Sequence, residues 1–366
     1  MKLECTKETL EHIVLIAGKI SGRTLALPVL NCILLQARTN TLSVRATNLD
    51  IGVEMKLPVK IHDEGVCAVP GAVFSNTIAA LRNDETVTLQ SENDTLIVAT
   101  KRGKTVIKTL PHDDFPTLPI LDESNSCSFD AKTFVHGLQS VWYSASLSNV
   151  KPELGSVYVY NSDGKVFFVA TDSFRLAEKT FAAKTPETFG PFLIPFRNIP
   201  EIVRVLEQAE KDIEIRWNEN QLSFLFDKIY LTSRLIGGSF PDYRQIIPKE
   251  AETTAVILKQ DLVTALKKST IFSDTFNQIR FTVNPLKKQF AIFSHNADVG
   301  ETKDSIDAAL SGEAVEIAFN HKYITDCFQS IVTDSISLSF SGLARPMVIR
   351  GVGDPSFLYL VMPMNK

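Results

Sequence analysis

Apolar residues along this chain fall into two spacings, and the spacings repeat in a fixed order. Leu10, Ile13, Val14, Ile16 and Ala17 recur at three- and four-residue intervals, which predicts an amphipathic helix over about 7–18. Similar helical patterns occupy about 130–146 and 259–271, and a second set lies at about 71–82, 198–209 and 320–331. Between them run short alternating segments bounded by turn residues, such as Val166–Ala170, Ile213–Trp217 and Leu222–Phe226, which read as strands. The connection Asn218-Glu219-Asn220-Gln221 is turn-forming. Asn198 is a candidate cap for its helix, with Pro200 tolerated in the first turn.

The order of these elements recurs three times. Pro70, Pro195 and Asn320 each stand between an apolar pair and a helical pattern, 125 residues apart. Ala46-Thr47-Asn48, Ala170-Thr171-Asp172 and Ser294-His295-Asn296 each follow an alternating run, at offsets of 124. Asp114-Phe115-Pro116 returns as Ser239-Phe240-Pro241. This period is too long for a solenoid, whose units span about 20–50 residues, and suits a small domain. The expected organisation is three tandem α+β domains, 1–120, 121–248 and 249–366, each with two helices on antiparallel strands.

Composition narrows the function classes. Of 366 residues, 44% are hydrophobic and 22% charged, as in ordinary globular chains. No run approaches the roughly 18 apolar residues of a membrane span, and Met1–Cys5 lacks a signal-peptide core, so a cytoplasmic protein is expected. Five widely spaced cysteines without Cys-x-x-Cys read as reduced and buried, and no metal site is expected.

Catalytic signatures are missing from the sequence. Neither His-Glu-x-x-His nor Gly-x-Ser-x-Gly occurs. Gly18–Arg23 superficially resembles a phosphate loop but follows a helix, and Asp113-Asp114 lies in a proline-rich turn read as a solvated loop. No cofactor is expected. Six windows over the predicted helices, 7–23, 70–83, 131–147, 196–211, 259–272 and 320–331, together carry +5, whereas the whole chain carries −4, leaving −9 elsewhere. Lys19, Arg23, Arg82, Lys132, Arg197, Arg204, Lys267 and Lys268 supply most of this charge. Such a surface attracts phosphates without reading bases, although scattered solvated lysines give the same count.

At the level of motifs the chain resembles the bacterial DNA polymerase III β subunit, the replicative sliding clamp. The resemblance rests on Leu27–Leu35, Ala46–Asp50, Ala170-Thr171-Asp172-Ser173-Phe174-Arg175-Leu176-Ala177, Phe240–Arg244 and Val361-Met362-Pro363-Met364, in order along the chain. It implies three clamp domains and a head-to-tail homodimeric ring of six-fold pseudo-symmetry around duplex DNA. Lys151 would join the DNA-facing residues named above. It implies a non-catalytic processivity factor, opened by an ATP-dependent clamp loader and tethering the replicative polymerase and other clamp-binding-motif proteins. The peptide pocket would involve Leu154, Thr171, Ser173, Phe174, Arg175, Leu176, Pro241, Ile246, Asn320, Tyr323, Pro346, Val361, Met362, Pro363 and Met364. The dimer interface would involve Ile107, Ile271 and Phe272, although Ile271 also reads as core at the end of an amphipathic helix. Ser173-Phe174 stands where the family commonly has Gly-His, and Asn365-Lys366 where relatives often have Arg-Leu, so a shifted peptide preference is expected. A catalytic nucleic-acid enzyme and a monomeric triplicated structural or peptide-binding protein with no DNA role are the alternatives.

Overall fold

The computed structural model describes residues 1–22, 27–83, 86–148 and 150–364. Three successive stretches share one element order. The first runs β1 (Lys2–Thr6), α1 (Lys7–Ile20), β2 (Cys32–Arg38), β3 (Thr41–Thr47), β4 (Ile51–Pro58), β5 (Lys60–Asp63), β6 (Gly65–Pro70), α2 (Gly71–Ala79), β7 (Thr86–Glu92), β8 (Thr95–Ala99) and β9 (Lys104–Lys108). The second runs β10 (Ser126–Asp130), α3 (Ala131–Val141), β11 (Ser156–Ser162), β12 (Lys165–Thr171), β13 (Arg175–Ala182), β14 (Phe192–Pro195), α4 (Ile199–Leu206), β15 (Asp212–Trp217), β16 (Gln221–Phe226) and β17 (Ile229–Arg234). The third runs β18 (Thr253–Leu258), α5 (Lys259–Ile271), β19 (Gln278–Asn284), β20 (Gln289–Asn296), β21 (Gly300–Ile306), β22 (Ala308–Gly312), β23 (Val315–Asn320), α6 (His321–Asp326), β24 (Ser335–Phe340), β25 (Met347–Gly351) and β26 (Phe357–Val361). These are three tandem helix-on-sheet domains.

By internal contacts the chain forms two compact units, residues 1–135 with 197–235 and residues 136–196 with 236–366. The first unit holds a sheet of order β5-β1-β7-β8-β9 and one of order β10-β15-β16-β17-β4-β3-β2-β6. The second holds β14-β11-β12-β13-β26-β25-β24-β18-β22 and β21-β20-β19-β23. Each long sheet is therefore made by two repeats joined edge to edge. In one, β17 pairs antiparallel with β4, Ile229 opposite Met55; in the other, β13 pairs with β26, Arg175 opposite Val361.

Helix packing follows from the apolar spacing. In the first unit α1 turns Leu10, Val14, Ala17 and Ile20 inward, where α2 presents Phe74 and Ile78. Burying one such large side chain is worth about 1.5–3 kcal/mol. Gly18 belongs to this contact: a Cβ there would lie 2.2 Å from Ser75 Oγ, which donates to the Val14 carbonyl at 3.1 Å. The fragment Gly18–Arg23 thus begins inside a helix as a packing contact; Arg23 lies outside the described residues. In the second unit α5 buries Leu262, Ala265 and Leu266.

Three local expectations need correction. The second helices are shorter than their apolar patterns: α2 stops at Ala79, α4 at Leu206, and α6 at Asp326 before a 3₁₀ turn, Cys327–Ser330. Helix α3 likewise gives way after Val141 to a 3₁₀ turn, Trp142–Ser144, where a β-branched residue and two aromatics lose side-chain freedom in a helix. Asn198 sits at the α4 N-cap, but its side chain does not cap the helix. It is buried and donates to Ser233 Oγ at 3.0 Å, a tertiary bond that outcompetes the local one. Asn320 does cap, accepting from the Lys322 amide at 2.9 Å. Asp113 and Asp114 are exposed, and Asn218 Oδ1 closes its turn by accepting from the amides of Asn220 and Gln221.

Candidate peptide groove and basic helix faces

The turn joining β12 to β13 is built by its own side chains. Thr171 Oγ1 donates to the Arg175 carbonyl at 2.6 Å, and Asp172 Oδ1 accepts from the amides of Phe174 and Arg175 at 2.9 and 3.0 Å. Ser173 is left with φ of +76°, in the left-handed region that favours glycine. The turn at Thr47–Ile51 is wired the same way, Thr47 Oγ1 to the Ile51 carbonyl and Asn48 Oδ1 to two amides, with Leu49 at +78°.

This turn lifts Phe174 out of the sheet, 60% exposed, and stacks it on Tyr323 at 6.4 Å. Arg175 lies beneath, its guanidinium 4.7 Å from the Tyr323 ring centre. All three kinds of guanidinium nitrogen are engaged within the second unit: Nε on Asp172 at 3.0 Å, Nη1 on Asp326, and Nη2 on the Tyr143 carbonyl at 2.7 Å. Burial opposes its charge, but Tyr359, Asp326 and Asp172 more than offset that and raise its pKa. Arg175 is thus a brace under the aromatic pair. The Met362 amide donates to the Phe174 carbonyl at 2.8 Å, tying the Val361–Met364 segment to the same wall.

Around Met362 opens a groove of about 770 Å³, lined also by Ile246, Ile247, Arg345 and Pro346. Thr171, Leu176, Leu154, Pro346 and Val361 are buried; Ser173, Pro241 and Ile246 are exposed; Met362, Pro363, Met364 and Asn320 are half-buried. Leu176 belongs to a cluster with Val169, Tyr243, Val348, Leu358 and Leu360, so it is part of the support beneath the surface. Met364 lines a separate groove.

Sequence reasoning missed the aromatic ladder beside this cluster. Phe240 stacks on Tyr158 at 4.7 Å, Tyr158 on Tyr160 at 4.8 Å, and Tyr160 on Phe167 at 4.9 Å. Arg244 covers Phe167 at 5.0 Å and donates to Tyr160 Oη at 2.8 Å. Tyr243 donates to Glu178, and burial followed by that carboxylate pushes its hydroxyl pKa well up. The available signal was the alternation Tyr158-x-Tyr160 opposite Phe167.

Of the residues expected to face DNA, Lys19, Arg82, Lys132, Lys151, Arg197, Arg204, Lys267 and Lys268 are exposed; Arg23 lies outside the described residues. Arg204 pairs with Glu201, and Lys268 with Asp304 at 2.9 Å, so those two contribute less field than their charge suggests. Of the expected joint residues, Ile107 is buried in its own sheet at 5% exposure, next to Val106 at 56%. Ile271 is 65% exposed at the end of α5, outside the core, and the Phe272 ring lies beside Gly300 of β21. Among the described residues, no three His, Cys, Asp or Glu side chains converge as a metal site, and no helix is long and apolar enough to cross a membrane.

The comparisons with known proteins cover the whole chain. Family models for the DNA polymerase III beta subunit match residues 1–119 (N-terminal domain), 128–242 (central domain) and 244–365 (C-terminal domain). The chain belongs to the DNA polymerase III beta subunit family. Among curated relatives, the beta sliding clamp of Synechococcus elongatus is 27% identical over 372 residues, spanning 100% of this chain and 99% of the relative. That of Escherichia coli K12 is 25% identical, spanning 96% and 95%. The crystal structure of the DNA polymerase III beta subunit of Thermotoga maritima superposes with a TM-score of 0.94 at 25% identity, covering 100% and 99% of the two chains. The Pseudomonas aeruginosa subunit gives 0.94 at 23%, over the full length of both, a likeness of fold.

Proposed function

We propose that this chain acts as a sliding clamp in DNA replication: two copies close head to tail into a ring around duplex DNA, and the groove around Met362 holds peptides of the polymerase and other partners. The observation that carries the ring is strand order. Each repeat contributes two four-stranded sets: β6-β2-β3-β4, β14-β11-β12-β13 and β23-β19-β20-β21 of a first type, and β1-β7-β8-β9, β10-β15-β16-β17 and β18-β24-β25-β26 of a second. Both joints within the chain pair the last strand of a first-type set with the last strand of a second-type set from the next repeat, β4 with β17 and β13 with β26. One strand of each type is left over, β21 in the third repeat and β9 in the first, and both are sheet edges. Pairing β21 of one copy with β9 of another repeats the same joint and leaves neither edge open.

Side chains support that joint. Strand β9 carries Lys104 and Lys108, β21 carries the exposed Glu301 and Lys303, and Val106, Ile271 and Phe272 add apolar surface beside the two edges. Two joints per ring follow from two copies. The domain limits 1–120, 121–248 and 249–366 fall between β9 and β10 and between β17 and β18.

A closed ring holds DNA by linkage. Its exposed basic helix residues need only loose, salt-dependent contact with phosphates, and no base contact fixes a register. Polymerisation chemistry belongs to the partners in this reading, and a loader using ATP opens the ring. Retention on circular DNA tests it: protein loaded on a nicked circle stays bound through gel filtration and is lost when the circle is linearised. Equal retention on linear DNA would refute linkage.

A further inference from the structure

Leu34, Tyr158 and Arg280 occupy one position of the repeat. Leu34 lies opposite Arg45 and Ala68, Tyr158 opposite Val169 and Leu193, and Arg280 opposite Phe293 and Ala318. Chain leaving each repeat makes the same bond beside this position: the amides of Leu110, Ile236 and Met364 donate to the carbonyls of Ala68, Leu193 and Ala318 at 2.9, 2.9 and 2.8 Å. In the first repeat the chain then buries Phe115 in one cluster with Leu34 and Ala68, and in the second it lays Phe240 flat on Tyr158 at 4.7 Å. Both rings precede proline and stand near aspartate, in Asp113-Asp114-Phe115-Pro116 and Phe240-Pro241-Asp242.

The third position differs. Two grooves border Arg280 there: one of about 370 Å³ against Ile317, Ala318, Leu343 and Met364, and one of about 200 Å³ against Phe293 and His295. Both border Arg280, the counterpart of the Tyr158 that Phe240 covers in the second repeat. Leu343 is 66% exposed. Arg280 donates from Nη1 to Glu316 at 3.2 Å, in a pair 46% and 57% exposed, which is a weak tie. Where its two counterparts are apolar or aromatic, this position offers a cation.

We propose that this face of the third repeat is a docking site for an extended segment of a partner protein that carries an aromatic residue followed by proline, with an acidic residue alongside. The ring enters the larger groove and lies against the Arg280 guanidinium, as Phe167 lies under Arg244 at 5.0 Å in the second repeat. The acidic neighbour pairs with Arg280, and proline holds the segment extended. The site is separate from the Met362 groove and stands on the repeat geometry whether or not that groove binds peptides.

The probe is a labelled nonapeptide with the sequence of Leu110–Leu118, titrated into the full-length protein by fluorescence anisotropy. Arg280→Glu and Leu343→Asp alter exposed side chains, and circular dichroism checks that both variants fold. The expected result is saturable binding that weakens about tenfold or more in either variant, and when alanine replaces the peptide phenylalanine. Hydrogen exchange is then slowed at 278–282 and 315–318, not at 171–176. No saturation by about 1 mM, unchanged affinity in Arg280→Glu, or protection confined to 171–176 would overturn the proposal. So would self-association of the free protein that masks these residues and is lost in Arg280→Glu, since the occupant is then a second copy.

Discussion

Arg175→Ala removes a side chain that the fold has used up. The guanidinium joins Asp172, Asp326 and the Tyr143 carbonyl and supports the Tyr323 ring, with only 12% of the side chain exposed. Deleting one partner of a buried ion pair costs about 3–5 kcal/mol, because the other charge stays behind unpaired. Asp326 is 41% exposed and recovers water, which moves the expectation to the lower end, about 3 kcal/mol. Arg175→Lys keeps the charge but cannot reach three acceptors from one planar fork, so about half that loss is expected. The assay is urea denaturation followed by tryptophan fluorescence, for which Trp142 is adjacent in sequence to the Tyr143 acceptor. A midpoint shift at unchanged slope gives the energy directly. A loss below about 1 kcal/mol for Arg175→Ala would refute the bracing role and return Arg175 to the set of groups that touch the peptide.

Further outcomes follow from single positions. Ser173→Gly and Leu49→Gly each replace a residue at positive φ, where an L side chain costs roughly 1–2 kcal/mol; after the entropy cost of glycine, gains of about 0.5–1 kcal/mol are expected in thermal unfolding. Val106→Pro removes an amide at the open edge of β9, since the alternation set by the Thr109 amide on Asp94 turns the amides of Lys104, Val106 and Lys108 away from β8; sedimentation should detect single chains with melting little changed. His321 is depressed below 6.5, first by burial and then by Lys322, and its Nε2 is buried without a partner. The unfolded chain then binds the proton more readily, so stability falls as pH drops below about 6.5, and His321→Phe flattens that slope in denaturation at several pH values.

The triplication was legible because its markers sit at the same structural points of successive repeats. Pro70, Pro195 and Asn320 end the strands that feed the second helices, and Thr47-Asn48 and Thr171-Asp172 make one turn through the same side-chain bonds. Helical spacing located the six α-helices of the described residues, since one face of each had to be apolar. Strand joining was not legible. Val53 and Met55 of β4 carry no mark that they border β17, because antiparallel pairing is made by backbone groups common to every residue. Side-chain competition was equally hidden: Asn198 reads as a cap until Ser233 stands beside it, and nothing in the sequence marks Asp326 and Tyr143 as partners of the Arg175 guanidinium. Phe115 and Phe240 were visible as a repeated Phe-Pro, but their packing with Leu34 and Tyr158 needed the sheet beneath them.

In the proposed ring, two copies of a chain that supplies two joints internally make the third joint between them. Static light scattering coupled to gel filtration, at micromolar protein and moderate salt, tests it most directly. A single species at twice the 40.6 kDa of one chain is the predicted result, falling to 40.6 kDa in Val106→Pro. A wild-type mass of 40.6 kDa across that concentration range would contradict the account, because β9 and β21 would then be open edges with no partner copy.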